Sequence, residues 1–138
     1  MSKSIARRFI QEIFNEGKIE EAEKFVTPDI TYHGVFEQVS GLEDFKRWIV
    51  EDHKAFSDMH LIIEDDFAEA NKVAIRWTLK LTHGKAFSDI PGVDIFHFEK
   101  DKIKEAWTIF DALTPEAQLG NVEKRTREVP PGTRRFRL

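Results

Sequence analysis

A strict alternation of apolar and polar side chains runs along residues 73–83, which read VAIRWTLKLTH. Successive side chains of a strand point to opposite faces, so one face carries the apolar set and the other the polar set. The apolar row consists of Val73, Ile75, Trp77, Leu79 and Leu81, and His83 closes it. The pattern predicts a half-buried strand in which Trp77 faces the core and Arg76 faces away from it.

Further strands are predicted on both sides of this one. Residues 59–67 form a predicted partner strand joined to it at AEANK (68–72), and GVDIFHF (92–98) follows a turn at Pro91-Gly92. The turn EKDK (99–102) leads into a last strand, IKEAWTIFD (103–111). Strands joined by such short connections are antiparallel neighbours.

Helical periodicity dominates the first half of the chain. Ser4 is predicted to cap a first helix that stops at Gly17, and a second short helix covers KIEEAEKFV (18–26). A short strand, DITYHGVF (29–36), precedes a third helix over residues 40–56. Thr114-Pro115 predicts a short C-terminal helix. Three helices followed by long antiparallel strands form an α+β pattern, and a curved sheet with helices on its inner face would enclose a cone-shaped cavity.

Composition bounds the classes of function. The chain has 138 residues, 41% of them hydrophobic and 33% charged, with twelve Phe and no Cys. The absence of Cys excludes disulfides, thiolate catalysis and Cys-based zinc sites. No apolar run approaches a membrane span and the first ten residues lack a signal-peptide core, so we expect a cytoplasmic protein without a membrane partner.

Charge is distributed unevenly between the body and the end of the chain. Residues 121–138 carry six Lys or Arg and two Glu, whereas the formal charge of the whole chain is −4. An acidic body argues against nucleic acid as a partner. We therefore predict one domain over residues 1–120, followed by a basic, solvated tail over 121–138 that could also bind an anionic partner or a neighbouring subunit.

The last predicted strand ends in a carboxylate that needs explaining. By alternation Trp107, Ile109 and Asp111 share one face, and the two apolar members favour burial. A buried carboxylate is costly unless it is paired, hydrogen-bonded or protonated. Asp111 is therefore either a general base in an apolar cavity, or a structural group that caps the helix near Thr114 or pairs with Arg76.

Several stretches together resemble the SnoaL-like polyketide cyclases of the nuclear transport factor two-like superfamily. The resemblance covers roughly residues 5–120, and its main signature is Trp107, Asp111 and Gln118-Leu119-Gly120, with Thr82-His83 and His33 as further matches. It implies a cone-shaped α+β barrel and a cofactor-free intramolecular aldol condensation. It also implies that Asp111 is the catalytic carboxylate, that His83 is a polar partner in the pocket, and that the outer sheet face forms a homodimer.

Other side chains are candidates for the pocket wall. His97 shares a predicted face with Val93 and Ile95, and only one of the neighbours Tyr32 and His33 can point inward. Tyr32 would be a reasonable donor to an oxyanion. His53 is predicted at the cavity mouth. Trp48, Trp77 and Trp107 belong to the core, which in a cone fold is also the pocket wall.

The sequence offers no recognisable site for a metal or cofactor. The five His lack HxH or HExxH spacing, and there is no phosphate loop or dinucleotide fingerprint. The predicted ligand is a small apolar carbonyl compound. Epoxide opening is disfavoured, because Arg76 and Asp94 are predicted to face away from the cavity. The alternative function is a non-catalytic module that binds a small molecule or dimerises.

Overall fold

The computed structural model of the chain describes residues 1–83 and 86–111, and it describes side chains outside residues 82–88. Within these ranges six strands form one sheet in the order β2-β1-β6-β5-β4-β3. The strands are β1 (Val26–His33), β2 (Gln38–Ser40), β3 (His60–Glu69), β4 (Lys72–His83), β5 (Ala86–Glu99) and β6 (Lys102–Phe110). The predicted C-terminal helix and the basic tail lie outside the described residues.

All neighbouring strands are antiparallel except β1 and β6, which run parallel. The long hairpin of β4 and β5 pairs continuously from Lys72–His97 to His83–Ala86. The predicted turn at Pro91-Gly92 is therefore wrong, because Pro91 pairs with Thr78 inside the hairpin. Proline is tolerated there because, within the described ranges, β5 begins to pair with β6 only at Gly92, so Pro91 is paired on one side alone, as at a sheet edge.

In the described part of the chain, three helical segments cover one face of the curved sheet, as predicted. Helix α1 (Ser2–Phe9) continues into a π-helical segment, Ile10–Asn15, and a 3₁₀ helix follows at Ile19–Lys24. Ser4 does not cap α1, because the helix already begins at Ser2 and the Ser4 hydroxyl donates to the Met1 carbonyl at 2.8 Å. Gly17 does end the segment, with a φ of 67° that favours glycine.

Helix α2 (Leu42–Ala55) is the predicted third helix. Phe45 and Ile49 are buried on the face that packs against β1, while Glu43 and Asp44 complement the helix dipole in its first turn. None of the helices in the described part of the chain is both long and apolar enough to cross a bilayer.

The core is an aromatic cluster between the helices and the inner face of the sheet. The Phe9 ring lies at its centre, 5.4 Å from the Phe14 ring, 5.9 Å from Phe45 and 5.6 Å from Phe96, measured between centroids. Val73, Ile75, Trp77 and Leu81 of β4 are also buried, whereas Arg76 is exposed, as the alternation predicted. This accounts for much of the high Phe content, because each ring buries a large apolar area.

A β-bulge decides which residues of β6 reach that core. Phe98 of β5 pairs with Ile103, but the adjacent His97 pairs with Glu105, so Lys104 is an extra residue in β6. Beyond the bulge the inner face carries Ala106, which is fully buried, while Ile109 is 56% exposed. One inserted residue exchanges the faces of every residue that follows it.

Candidate active site

Asp94 is the buried carboxyl of the inner face. It lies in the middle of β5, opposite Ile75 of β4 and Thr108 of β6, and is 2% exposed. Residues directly opposite each other in an antiparallel pair share a face, so all three side chains point towards the helices. The prediction that Asp94 faces away from the interior is wrong. The apolar residues on both faces of VDIFHF made the direction of alternation ambiguous.

Tyr32 holds one oxygen of this carboxyl. The Tyr32 hydroxyl, fully buried on β1, donates to Asp94 Oδ2 at 2.5 Å. Burial raises the pKa of Asp94 to about 6, and the polar side chains of Thr108, Tyr32 and Trp77 oppose that rise. Burial, together with the Asp94 charge, raises the pKa of Tyr32 well above its usual value. The phenol therefore keeps its proton and remains a donor.

The second oxygen of Asp94 lacks such a donor. Among the described residues, neither Asp94 Oδ1 nor the indole Nε1 of Trp77 has a hydrogen-bond partner of acceptable geometry, although both atoms are buried. The Trp77 and Thr108 side chains nevertheless act on the Asp94 carboxyl as hydrogen-bonding groups that lower its pKa. A buried donor and a buried acceptor thus lie near each other, and both could bind a polar group of a ligand.

Apolar rings surround this pair of groups. The Trp48 ring lies 5.1 Å from that of Tyr32, and the Phe110 ring lies 6.5 Å from that of Trp77, between centroids. Trp48 and Phe110 are only partly buried, as are Leu79 and Ile63 of β4 and β3. Of the predicted pocket residues, Tyr32 and Trp77 thus act directly on Asp94, and Trp48 is joined to them through its contact with Tyr32.

The prediction that Trp107, Ile109 and Asp111 share a buried face of the sheet is wrong. Asp111 follows β6 directly and is exposed, Ile109 is 56% exposed and Trp107 is partly exposed on the outer face. The bulge at Lys104 is the physical reason, because it turns residues 105, 107 and 109 away from the helices. The catalytic role of Asp111 stays a prediction, and the neighbouring residues from 112 onward lie outside the described range.

His33 and His97 lie on the outer face of the sheet with Trp107. Their rings flank the indole, at 5.1 Å from His33 and 4.6 Å from His97 between centroids. His33 Nε2 also lies 2.7 Å from Glu105 Oε2. The predicted inward direction of His97 is therefore wrong, since the inner residues of β5 are Asp94, Phe96 and Phe98. Of the pair Tyr32 and His33, Tyr32 points inward.

His53 occupies a separate groove between α2 and the turn at Gly17. Its Nε2 lies 2.7 Å from the Phe14 carbonyl, to which it donates. The groove measures about 350 Å³ and its lining includes Ile19, Ile49 and Lys54. The neighbouring Asp52 is partly buried, which raises its pKa to about 6, with the Glu37 charge adding to the rise and His53 opposing it. A role for His53 at the substrate pocket stays a prediction.

His83 is placed only by its backbone, which pairs with Ala86 at the tip of the β4–β5 hairpin. Its side chain lies outside the described part of the structure, so its predicted role is untested. Arg76 pairs with Asp65 on the outer face through its Nη2, at 2.9 Å from Asp65 Oδ2. Among the described residues no three His, Asp or Glu side chains are grouped so as to hold a metal ion.

Asp94, Thr108, Phe110 and Gly92 were not assigned to the site from the sequence. One signal could have found Asp94: alternation counted back from Phe96 and Phe98 rather than from Val93 and Ile95. It would have placed the carboxyl beside two core aromatics. No local pattern predicts its bond to Tyr32, because 62 residues separate the two along the chain.

Solved structures with the same architecture define the class of fold. IdmH, a candidate polyketide cyclase from Streptomyces antibioticus, is 21% identical with a TM-score of 0.78, covering 87% of this chain and 99% of that one. A candidate polyketide cyclase from Bacillus cereus is 29% identical with a TM-score of 0.74, covering 86% and 79%. A Catenulispora acidiphila protein with a ketosteroid isomerase-like fold, solved with trimethylamine, is 14% identical with a TM-score of 0.76, covering 84% and 92%.

These similarities place the chain in the nuclear transport factor two-like class of α+β folds. The family model described as SnoaL-like polyketide cyclase matches residues 4–119. The chain therefore belongs to the SnoaL-like polyketide cyclase family, as the sequence motifs suggested. No functionally curated protein matches it significantly.

Proposed function

We propose that this protein is a cofactor-free acid–base catalyst that forms an enolate from a small apolar carbonyl compound, with Asp94 as the proton-transfer group. The observation that carries the proposal is the state of the Asp94 carboxyl. It is buried, Tyr32 holds its Oδ2, and its Oδ1 has no hydrogen-bond partner among the described residues. Membership of the polyketide cyclase family supports the same class of chemistry.

The ionisation of Asp94 suits a base that works near neutral pH. Burial raises its pKa to about 6, so the carboxylate still predominates at pH 7 while being a stronger base than an exposed aspartate. Tyr32 donates to Oδ2 and fixes the plane of the carboxylate, which leaves Oδ1 to accept a proton. After proton transfer the neutral carboxylic acid can return the proton to the product.

The apolar surroundings support the choice of substrate class. Two aromatic contacts, Trp48 with Tyr32 and Trp77 with Phe110, include the two rings that act on the carboxyl. Such walls exclude water from the base and favour an apolar ring or chain over a charged metabolite. A ligand carbonyl is the polar group that this environment can accommodate next to Asp94.

Two carboxylates compete for the role of base. The family resemblance assigns it to Asp111, whereas burial and hydrogen bonding favour Asp94, because Asp111 is exposed after the end of β6. We give the role to Asp94, since desolvation is what strengthens a carboxylate base. Conservative Asp→Asn changes at the two positions separate the alternatives.

The test follows exchange of the α-hydrogens of 2-tetralone, an apolar bicyclic ketone, in deuterated buffer by NMR. We expect catalysed exchange by the unaltered protein and a rate roughly 10²–10⁴-fold lower in Asp94→Asn. Far-UV circular dichroism should show that both variants keep the fold. A loss of exchange confined to Asp111→Asn would transfer the role to Asp111. Ligand binding without exchange in any form would support the non-catalytic binding module.

The outer face favours a second proposal, that two copies of the chain associate through their sheets. Phe67 and Ile109 are 66% and 56% exposed there, and a shallow groove of about 250 Å³ runs beside Phe67, Ala74 and Ile95. Exposed apolar patches of this kind commonly mark association surfaces. We expect sedimentation velocity to show a dimer that Phe67→Asp with Ile109→Asp dissociates. Val35→Asp, on the partly exposed β1–β2 turn, is the control; an unaltered monomer would contradict the proposal.

A further inference from the structure

The indole nitrogen of Trp77 is a buried donor that makes no hydrogen bond of good geometry. The side chain is 3% exposed, and Nε1 has no hydrogen-bond partner of acceptable geometry among the described residues. Buried tryptophan N–H groups normally have a partner, because leaving one unpaired costs free energy. The unpaired atom therefore requires an explanation.

Packing explains why the indole cannot turn to find a partner. Trp77 lies directly opposite Gly92 in the β4–β5 ladder. A Cβ on Gly92 would lie 2.3 Å from Cη2 of the indole and 2.6 Å from its Cζ3, so the ring rests directly on the glycine backbone. The Phe110 ring, opposite Gly92 on β6, lies 6.5 Å away on the same face. Strand register and neighbouring rings hold the indole in this orientation.

The proposed base carries an unpaired acceptor on the same face of the sheet. Asp94 Oδ1 is buried without a partner of acceptable geometry among the described residues, and the Trp77 N–H acts on the Asp94 carboxyl as a donor that lowers its pKa. The Trp77 N–H and the Asp94 carboxyl are thus neighbours, although no hydrogen bond of acceptable geometry joins Nε1 to Oδ1. A ligand group that bridges them must offer an acceptor to Nε1 and a hydrogen to Oδ1.

We propose that the Trp77 Nε1–H donates a hydrogen bond to the carbonyl oxygen of the substrate while Asp94 Oδ1 removes hydrogen from the adjacent carbon. This inference rests on the proposed function and adds a catalytic residue to it. In an enolisable carbonyl compound the α-hydrogen and the carbonyl oxygen are carried by adjacent carbons. One such compound can therefore reach Asp94 Oδ1 and Trp77 Nε1 at the same time. The substrate class is therefore an enolisable ketone or ester whose α-carbon reaches Asp94.

The proposed enolisation needs no co-reactant, because every proton and electron pair is accounted for. The carboxylate of Asp94 takes the α-hydrogen as a proton, and the C–H electron pair forms the carbon–carbon double bond of the enolate. The electron pair of the carbonyl π bond moves onto oxygen, where the Trp77 N–H stabilises the developing negative charge. Indole does not give up its proton at neutral pH, so Trp77 acts as a fixed donor and not as an acid.

Two bicyclic aromatic probes that differ by one hydroxyl group measure the strength of the hydrogen bond from Trp77 without relying on turnover. 2-Naphthol places a hydroxyl oxygen where the enolate oxygen of 2-tetralone would lie, and naphthalene lacks it. We expect the unaltered protein to bind 2-naphthol more tightly than naphthalene in equilibrium dialysis. Trp77→Phe should reduce that preference roughly tenfold and leave the affinity for naphthalene nearly unchanged.

A second variant keeps the test decisive if Trp77→Phe does not fold. Replacement of Trp77 by benzothienylalanine exchanges only the N–H for sulfur and preserves the bicyclic ring against Gly92. It should also reduce the preference for 2-naphthol. An unchanged preference in this variant, or in a folded Trp77→Phe protein, would overturn the inference.

Exchange of 2-tetralone separates failure of this inference from failure of the proposed function. Exchange that depends on Asp94 but proceeds at the same rate in the Trp77 variants overturns the donor role alone. A 2-naphthol preference that depends on Trp77, with no catalysed exchange in the unaltered protein, overturns the proposed function and leaves the donor role standing. If neither probe binds, both are overturned.

Discussion

The two faces of the sheet carry similar chemical groups in different surroundings. On the inner face the Tyr32 hydroxyl bonds the Asp94 carboxyl beside Trp77, and none of the three residues is more than 3% exposed. On the outer face the adjacent His33 bonds the Glu105 carboxylate beside Trp107, and all three are partly exposed.

The adjacent β1 residues Tyr32 and His33 thus belong to two different pairs: Tyr32 to a desolvated pair and His33 to a solvated one. Burial raises the pKa of Asp94 to about 6, because charge is costly where water is excluded. Solvent screens the outer pair and weakens its contribution to stability. The comparison teaches that residue type alone does not identify the reactive carboxyl; the depth of its burial does.

The largest contrast between the faces should be in packing. Phe96 is fully buried against Phe9 and Tyr32, so Phe96→Ala should lower the free energy of unfolding by roughly 3–5 kcal/mol. Ile109→Ala on the outer face should lower it by less than about 1 kcal/mol. Urea denaturation measures both, and similar losses from the two variants would contradict the assignment of faces.

The pH dependence of stability should distinguish the inner carboxyl. The folded-state pKa of Asp94 lies above its ordinary value of 3.8, so the folded protein binds the extra proton between these two values. Stability therefore falls as pH rises from about 4 to about 6, by up to about 3 kcal/mol from this group.

Asp94→Asn should lack that component, and urea titrations at pH 4 and pH 7 measure the difference from the unaltered protein. Asp52→Asn is an informative comparison, because the pKa of this partly buried carboxyl is raised in the same direction. If the Asp94→Asn and unaltered proteins show the same pH dependence, Asp94 is not desolvated as the structure shows.

A methyl group at Gly92 should disturb the inner face moderately. The added Cβ would lie 2.3 Å from the Trp77 ring, which must shift, so Gly92→Ala should cost roughly 1–3 kcal/mol of stability. Val93→Ala, whose side chain lies on the other face, is the matched control with an expected loss below about 1 kcal/mol. Near-UV circular dichroism would report the displaced indole, and an unchanged spectrum would argue against the close packing.

The smallest effect is expected from the outer ion pair. Glu105→Gln removes the charged partner of His33 at a position where both side chains are partly exposed. It should alter the free energy of unfolding by less than about 1 kcal/mol, since exposed pairs contribute little. Thermal denaturation in low and high salt measures the change, and a loss of several kcal/mol would show that the outer face is less solvated than it is in the structure.

The sequence by itself determined the α+β class, the inward row of β4 and the family. Alternation in residues 73–83 was unambiguous because only one face of β4 carries large apolar side chains, and Arg76 on the other face fixed the direction. Helices in the first half and strands in the second followed from hydrophobic periodicity. The motifs around Trp107 and Asp111 were enough for the family resemblance.

The tertiary structure alone decided which carboxyl is buried. In β5 and β6 both faces carry apolar residues, so local periodicity could not tell the inner face from the outer. The extra residue Lys104 then exchanged the faces of Trp107 and Ile109, which only the pairing with β5 reveals. The bond between Tyr32 and Asp94 likewise depends on two strands brought together from distant parts of the chain. Burial and strand register are properties of the assembled sheet, and these two properties select Asp94 as the candidate base.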